Sequence, residues 1–189
     1  MKYKLTLLLV TILALTSCKD EKKSGSVKDT AVVEANSDKS VFKVSFDLII
    51  KKDDNLHLYY TEDETINFNE KMSIWMPVKG SENAQTVTFK LPEAASPTHI
   101  RVDFGFGKNE SQSDVELKTF KMDYYGQQVV ANGTSIFDYF YPNKDNTEIV
   151  SGTSILKRLK KDQESGPMLY PQIQLSKKIK EMTLGTGAK

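Results

Sequence analysis

The sequence predicts a mainly β fold, an antiparallel β-sandwich or jelly roll with a short C-terminal helix. From residue 41 to about residue 125, apolar side chains alternate with polar ones, which is the period of strands buried on one face. These runs are short, turn residues separate them and no helical period lies between them, as is typical of two-sheet antiparallel folds. Residues 41–189 have roughly the size of one domain, so we expect a single β-sandwich domain with a C-terminal extension.

Five strands are predicted before residue 107, each with its own row of apolar residues. The predicted core positions, in strand order, are Phe42, Val44, Phe46, Leu48 and Ile50; Leu56, Leu58 and Tyr60; Ile74, Met76 and Val78; Val87, Phe89 and Leu91; and Ile100, Val102, Phe104 and Phe106. A turn is expected at Asp53, Asp54 and Asn55, between the first two strands. Pro77 cannot donate to a strand ladder, so the third strand is predicted to lie at a sheet edge.

A sixth strand follows, and its pattern changes phase in the middle. Val115 and Leu117 point to one face, whereas Phe120 and the apolar residues after it continue the row from a position one residue out of step. One extra residue in a strand produces such a shift, so the sequence predicts a β-bulge near Lys118 and Thr119.

The C-terminal part of the chain predicts two helical segments. Residues 135–141 indicate a single helical turn, and its inward side chains are expected to be Ile136, Phe137 and Phe140. Ser176 is typical of an N-cap, and Gly185 is typical of a helix end. We therefore predict a terminal helix between them, with Ile179 and Met182 facing the body of the domain.

The N-terminal residues resemble a bacterial lipoprotein signal. Lys2 and Lys4 precede an apolar segment at residues 5–15, and the small Ser17 leads into Cys18, which is the only cysteine. The resemblance implies that residues 1–17 are a signal peptide and that the Cys18 thiol is lipidated, which attaches the protein to a membrane. The alternative is a transmembrane helix, which needs about 20 apolar residues, roughly twice the length of this segment.

The residues after the cysteine suggest where the protein is delivered. Lys19, Asp20 and Glu21 resemble the export signal of Bacteroidetes lipoproteins, a lysine followed by two acidic residues. This resemblance implies a lipid anchor in the outer membrane at the cell surface, with the periplasmic leaflet as the alternative. Residues 18–40 are charged and small, which predicts a flexible tether. Within it, Thr30 and its neighbours resemble a Bacteroidetes O-glycosylation site, with an unmodified linker threonine as the alternative.

Several strand and turn segments resemble a β-sandwich region found in uncharacterised Bacteroidetes surface and membrane proteins. These segments are KDD at 52–54, LYYTED at 58–63, VKGS at 78–81, FKLP at 89–92 and RVDFG at 101–105. Their arrangement is also similar to jelly-roll carbohydrate-binding modules. The resemblance covers roughly residues 41–125 and implies a fold and an origin, but it assigns no ligand-binding residue.

Charge and motifs argue against several functional classes. The formal charge of +1 becomes −1 without residues 1–17, so no nucleic-acid partner is predicted. His57 and His99 are predicted to be surface residues, and no zinc, EF-hand, phosphate-loop or nucleophile-elbow spacing occurs. The carboxylates lie mostly in loops, which indicates solvated turns rather than a catalytic pair. We predict no enzyme, no cofactor and no metal site, with a calcium ion at Asp53, Asp54 or Asp103 as the alternative.

The outward aromatic residues provide the one candidate binding site. Tyr59 and Trp75 lie opposite the core residues of their strands, where an exposed ring can stack on a sugar. Arg101 and Asp103, also outward, are candidate polar partners for the sugar hydroxyls. The alternative is that both rings form a second core layer beneath the C-terminal segment.

Together these features predict a lipid-anchored cell-envelope lipoprotein that acts as a non-enzymatic binding module for a glycan. The main alternative is a structural or accessory lipoprotein that docks on another envelope protein. An enzyme is a third class, which a buried carboxylate pair in a cleft would favour.

Overall fold

The two antiparallel sheets of this protein pack face to face, which confirms the predicted β-sandwich. A computed structural model describes residues 39–108 and 112–185. The predicted signal peptide, Cys18, Lys19, Asp20, Glu21 and Thr30 lie outside these residues. Within the described ranges, no helix has the length and apolar character needed to cross a bilayer.

Eleven strands and one α-helix make up the described part of the chain, with 3-10 helices at Glu70–Met72 and Gly133–Asp138. The strands are β1 (Lys43–Ile50), β2 (Asp54–Thr61), β3 (Ser73–Val78), β4 (Gln85–Lys90), β5 (His99–Phe104), β6 (Val115–Tyr124), β7 (Gln127–Asn132), β8 (Phe140–Pro142), β9 (Thr147–Ile149), β10 (Ile155–Arg158) and β11 (Met168–Pro171). The α-helix, α1, spans Ile173–Leu184.

The strands are distributed between two sheets, here called sheet 1 and sheet 2. Sheet 1 has six strands in the order β4-β1-β6-β10-β9, and β7 also pairs with β6. Sheet 2 has five strands in the order β3-β2-β5-β11-β8. β3 lies at the edge of sheet 2, which confirms the expectation drawn from Pro77. Because proline has no N–H to donate, this position leaves no missing hydrogen bond inside the sheet.

The core lies between the sheets and contains the predicted apolar rows. All five predicted residues of β1 are buried, and so are those of β4 and the first three of β5. Phe46 of sheet 1 meets Phe104 of sheet 2 edge to face, with 5.4 Å between ring centroids, and it also contacts Phe120 at 5.3 Å. Such ring pairs add to the stabilisation that comes from removing their surface from water.

The predicted β-bulge is present in β6. Asp47 of β1 pairs with Thr119, but the next residue, Leu48, pairs with Leu117, so Lys118 is an extra residue in the ladder. The insertion reverses the side-chain phase along the strand, and as a result Leu117 and Phe120 both point into the core.

Two strand predictions near one end of the sandwich are wrong. Asp54 does not belong to a turn, because it is the first residue of β2 and is buried. Phe106 is not a core residue, because its side chain is 60% exposed. Gly105, which lies between Phe104 and Phe106, has a φ of +125°, a conformation that favours glycine, and it ends the regular alternation of β5.

The C-terminal predictions are confirmed in part. Ile179 and Met182 are buried and Gly185 follows the helix, but α1 begins at Ile173, so Ser176 is not its N-cap. Residues 135–141 contain the end of the 3-10 helix and the start of β8, and the inward positions of Ile136 and Phe140 are confirmed. The strands β7 to β11 were not predicted, because β7 has the sequence QQVVAN, which does not alternate, and β8 to β11 have only three or four residues each, too few to show a clear period.

Candidate functional site

The four predicted site residues come together on the outer face of sheet 2, the face opposite the core. Tyr59, Trp75, Arg101 and Asp103 all line one cleft of about 140 Å³. Strand pairing explains their proximity, since His57 lies opposite both Trp75 and Asp103, while Tyr59 lies opposite Arg101. The cleft is therefore a product of register between β3, β2 and β5.

Arg101 and Asp103 form a fixed ion pair at the floor of the cleft. They are two residues apart on β5 and share a face, so the guanidinium reaches back to the carboxylate with Nε–Oδ1 at 2.8 Å and Nη2–Oδ2 at 2.5 Å. Their side chains are only 15% and 8% exposed. Burial raises the pKa of Asp103, and the bidentate contact with Arg101 opposes that shift.

Arg101 is also held by aromatic rings on both sides. Its guanidinium carbon lies 4.5 Å from the centroid of Tyr59 and 5.1 Å from that of Tyr170 on β11. Cation–π contacts of this kind are strongest when the charge is shielded from water. The arginine therefore acts as a rigid part of the surface, with little freedom to move towards a ligand.

His57 is buried, so the prediction of a surface histidine is wrong. The side chain is 2% exposed because Trp75 stacks on it at 3.6 Å and Tyr59 packs against it at 3.8 Å. Nε2 lies 3.6 Å from a carboxylate oxygen of Glu70 and has no hydrogen-bond partner among residues 39–108 and 112–185. Burial lowers the pKa of His57 to about 4, so the imidazole is neutral at pH 7.

Tyr59 is buried as well, and it belongs to the second core layer rather than to the exposed surface. Its hydroxyl donates to Glu70 Oε1 at 2.7 Å, and Glu70 is placed there by the 3-10 helix whose N-cap is Asn69. This hydrogen bond is the largest influence that lowers the pKa of Glu70. Sequence reasoning missed Glu70, because the loop that brings it over β2 has no periodic pattern.

Trp75 and Phe106 form the exposed aromatic rim of the cleft. Trp75 is 42% exposed and Phe106 is 60% exposed, and their rings meet edge to face at 5.0 Å. Buried Asp54 holds the segment in place, since its Oδ1 accepts a hydrogen bond from the Phe106 amide at 3.0 Å. The prediction of an outward, accessible Trp75 agrees with this geometry, and Phe106 is an additional rim residue.

Beside Phe106, two backbone segments of the chain lie close together and form one wall of the cleft. The Gly166 amide donates to the Gly105 carbonyl at 2.9 Å, and Phe106 forms an isolated bridge with Ser165. A Cβ atom at Gly166 would lie 2.1 Å from the Phe104 carbonyl oxygen, so only glycine fits there. This contact places Ser165 and Glu164 at the cleft edge.

The carboxylates named for the calcium alternative are engaged by other residues of the chain, Asp54 by the Phe106 amide and the Gln112 side-chain amide. Asp53 is engaged by Lys79 Nζ at 2.5 Å and by the Gly80 amide, while Asp103 is engaged by Arg101. Among residues 39–108 and 112–185, no three histidine, cysteine or acidic side chains cluster in a way that could hold a metal ion.

A larger groove of about 590 Å³ lies elsewhere, between α1 and the residues before β5. His99 and Lys177 line it, with the exposed apolar side chains of Ile173 and Leu184 at its two ends. It contains none of the predicted ligand-binding residues.

Comparisons with protein-family models, with curated proteins and with solved structures found no match to this chain. Function therefore has to be inferred from the chemistry of the site, since a β-sandwich hosts many unrelated activities.

Proposed function

We propose that this protein is a lipid-anchored cell-envelope lipoprotein whose β-sandwich is a non-enzymatic glycan-binding module. The observation that carries the proposal is the pair of exposed rings, Trp75 and Phe106, beside a rigid polar floor. A sugar presents an apolar face and a ring of hydroxyls, and this cleft offers an aromatic surface together with fixed hydrogen-bonding groups.

The floor of the cleft has acceptors for ligand hydroxyls. Each carboxylate oxygen of Asp103 accepts one hydrogen bond from Arg101, and a carboxylate has about four acceptor positions in total. The remaining positions suit sugar O–H donors. Because Arg101 already fixes the carboxylate, a ligand need not order it on binding, which lowers the entropic cost of association.

The charge around the cleft favours a neutral ligand. Asp103, Glu70 and Glu164 contribute three carboxylates, whereas Arg101 and Lys108 contribute the nearby cations, and Lys108 already lies 3.8 Å from Glu164. With His57 neutral at pH 7, the site has no excess positive charge to attract an acidic sugar or a phosphate.

A binding role is favoured over catalysis because the carboxylates at the cleft are engaged by other side chains of the protein. A glycoside-cleaving acid must be protonated near neutral pH, usually because it lies in an apolar pocket. Burial raises the pKa of Asp103, but both of its carboxylate oxygens are engaged by Arg101, and the pKa of Glu70 is lowered by the Tyr59 hydroxyl. Both carboxylates are therefore held by protein partners, and neither is presented to a leaving group as a free acid.

Glycan binding can be tested with the Cys18→Ser full-length protein on a glycan array, followed by calorimetry with the strongest neutral glycan. We expect Trp75→Ala and Phe106→Ala each to weaken binding at least tenfold, which is about 1.4 kcal/mol. Tyr125→Ala is the matched control, because Tyr125 is an exposed ring at the distant β6–β7 turn. Equal binding by all three variants would refute the assignment of the cleft.

The lipid anchor is tested separately. Cys18→Ser should move the protein from the detergent phase to the aqueous phase, because the proposed lipid would no longer be attached. Replacing Lys19, Asp20 and Glu21 with alanine should preserve detergent partitioning but remove protease accessibility on intact cells. Continued detergent partitioning of Cys18→Ser would contradict the lipoprotein proposal.

The accessory-protein alternative has its own observation. Ile173 and Leu184 are exposed at the two ends of the groove beside α1, and exposed apolar residues around a groove are typical of protein-docking surfaces. If docking is the function, Ile173→Lys should abolish cross-linking to an envelope protein while leaving glycan binding by the Trp75 cleft unaffected.

A further inference from the structure

A second aromatic pair lies on the outer face of sheet 2, at the edge opposite Trp75. Tyr141 of β8 stacks on Tyr170 of β11, with 5.8 Å between centroids and 28° between ring planes. Tyr141 is 38% exposed, and the pair borders a hollow of about 230 Å³ together with Asn143, Lys144 and Asp145. Nothing in the sequence pattern had indicated this hollow.

The hydroxyls of this pair differ from that of Tyr59. Tyr59 donates to Glu70, whereas neither the Tyr141 nor the Tyr170 hydroxyl hydrogen-bonds to any other described residue. A tyrosine with an exposed ring edge and an unused hydroxyl can contact both the face and the hydroxyls of a polar ligand. The second hollow thus offers the same combination of ring and polar group as the Trp75 cleft.

Partly exposed residues lie between the two hollows. Met168 lines the Trp75 cleft, and its carbonyl accepts a hydrogen bond at 3.0 Å from the amide of Asn143, which lines the second hollow. Phe68 borders the middle of the path, with its ring 6.4 Å from Tyr59 and 6.0 Å from Tyr170. Four strand spacings separate β3 from β8, so the path is roughly 19 Å long.

We propose that the Trp75 cleft and the Tyr141–Tyr170 hollow are two subsites for one extended, neutral oligosaccharide that crosses sheet 2. This inference rests on the glycan-binding function proposed above. The first cleft, at about 140 Å³, is smaller than the ~300–1,000 Å³ of pockets that enclose a whole small ligand, so it holds only one part of a larger molecule.

The charge of the second hollow fits the same ligand. Lys144 and Asp145 are of opposite sign, so this end, like the first, provides no excess positive charge for an acidic sugar. Rings at the two ends with polar groups between them match a chain of sugars that stacks at separated residues. Two linked contacts on a rigid surface bind one chain more tightly than either contact binds alone.

The test uses the full-length Cys18→Ser chain and an array of neutral glucan, xylan, mannan and galactan ladders, each from the monosaccharide to long oligomers. Affinity should rise with chain length until the oligomer spans both subsites, and then remain constant. Tyr141→Ala should weaken binding of the long oligomers about tenfold and leave the shortest bound sugar unaffected. Tyr141→Phe should retain most of the affinity, and Tyr125→Ala serves as the control.

The outcomes separate the inference from the function on which it rests. Length-independent affinity, or equal losses for short and long sugars in Tyr141→Ala, would overturn the second subsite and leave glycan binding at Trp75 intact. Failure of the unsubstituted cleft to bind any ladder would overturn both. The length dependence needs no variant, so it decides the question even if Tyr141→Ala fails to fold.

Discussion

Two ion pairs with the same spacing occupy corresponding positions on the outer faces of the two sheets. On β6 of sheet 1, Lys121 and Asp123 lie 3.7 Å apart with side chains 39% and 21% exposed. On β5 of sheet 2, Arg101 and Asp103 lie 2.5 Å apart with side chains 15% and 8% exposed. Both pairs are a basic residue followed two positions later by aspartate, yet only the second is enclosed by aromatic rings.

The difference shows that an outward position does not determine exposure. The outer face of sheet 1 has short polar contacts, such as the part-buried hydrogen bond between the hydroxyls of Ser45 and Thr88 at 2.9 Å, and its ion pair is partly open to water. The outer face of sheet 2 is covered by Trp75, Tyr59 and Tyr170, which leave its polar residues in a low-dielectric environment. Only the outer face of sheet 2 therefore has polar residues enclosed by aromatic rings, as a ligand-binding site does.

The largest losses of unfolding free energy are expected for side chains on the inner faces of the two sheets. Phe46→Ala and Phe104→Ala should each reduce the free energy of unfolding by about 3–5 kcal/mol, because each removes a fully buried ring and leaves a cavity. Lys43→Ala, on the outer face of sheet 1, should change it by less than about 0.5 kcal/mol. Urea unfolding measures all three, and equal losses at Phe46 and Lys43 would contradict the strand phase.

The two ion pairs can be compared directly. Arg101→Ala should cost about 3 kcal/mol of unfolding free energy, because it leaves the Asp103 carboxylate buried and unpaired. Lys121→Ala removes the corresponding residue from an exposed pair and should cost no more than about 0.5 kcal/mol. Similar losses in the two variants would show that the rings on sheet 2 do not shield its ion pair.

Acid should destabilise sheet 2 through His57. The pKa of His57 is lowered from 6.5 to about 4 in the folded state, so below pH 6.5 the unfolded chain takes up a proton that the folded chain does not. The stability that the protein gains from keeping His57 neutral is complete above pH 6.5 and is lost as the pH falls towards 4. Between those values, the unfolding free energy should fall about 3 kcal/mol further than in His57→Gln. Parallel pH profiles for the two proteins would refute the burial of a neutral imidazole.

Trp75→Ala should reduce the free energy of unfolding by only about 1 kcal/mol, because the ring is already 42% exposed. Its loss should uncover His57, and the pKa of that imidazole should therefore rise towards 6.5. An NMR titration of the His57 ring protons measures this change. A titration that remains near pH 4 would mean that Tyr59 alone provides the cover.

Much of the fold could be predicted from sequence, because a period of two residues follows from backbone geometry alone. The inward rows of β1, β4 and β5 are examples, and so is the bulge at Lys118. What covers an outer face depends on residues far apart in the chain. His57 is buried because Trp75 of the neighbouring strand β3 stacks on it and Tyr59 packs against it, and no local pattern around His57 indicates the contact with Trp75.

The candidate site, like the fold, could be predicted only in part from the sequence. Tyr59, Trp75, Arg101 and Asp103 were predicted because alternation places them on one face, and register then brings them together. The sequence predicts Phe106 as a core residue because the alternation of apolar and polar residues continues through it. The positive φ of Gly105 is a property of the folded backbone, and it turns the ring out to the rim.

The order of strands in sheet 1 has a consequence for biosynthesis. The ribosome makes β1 early, but β1 lies between β4 and β6, and β6 begins only at Val115. At synthesis rates of ~5–20 residues per second, β1 waits roughly 3–13 s for its second neighbour. Through that interval its apolar row, from Val44 to Ile50, has no sheet to join on one side. We expect the unfolded chain to depend on a holding chaperone until β6 is available to β1, both during synthesis and during the export proposed above.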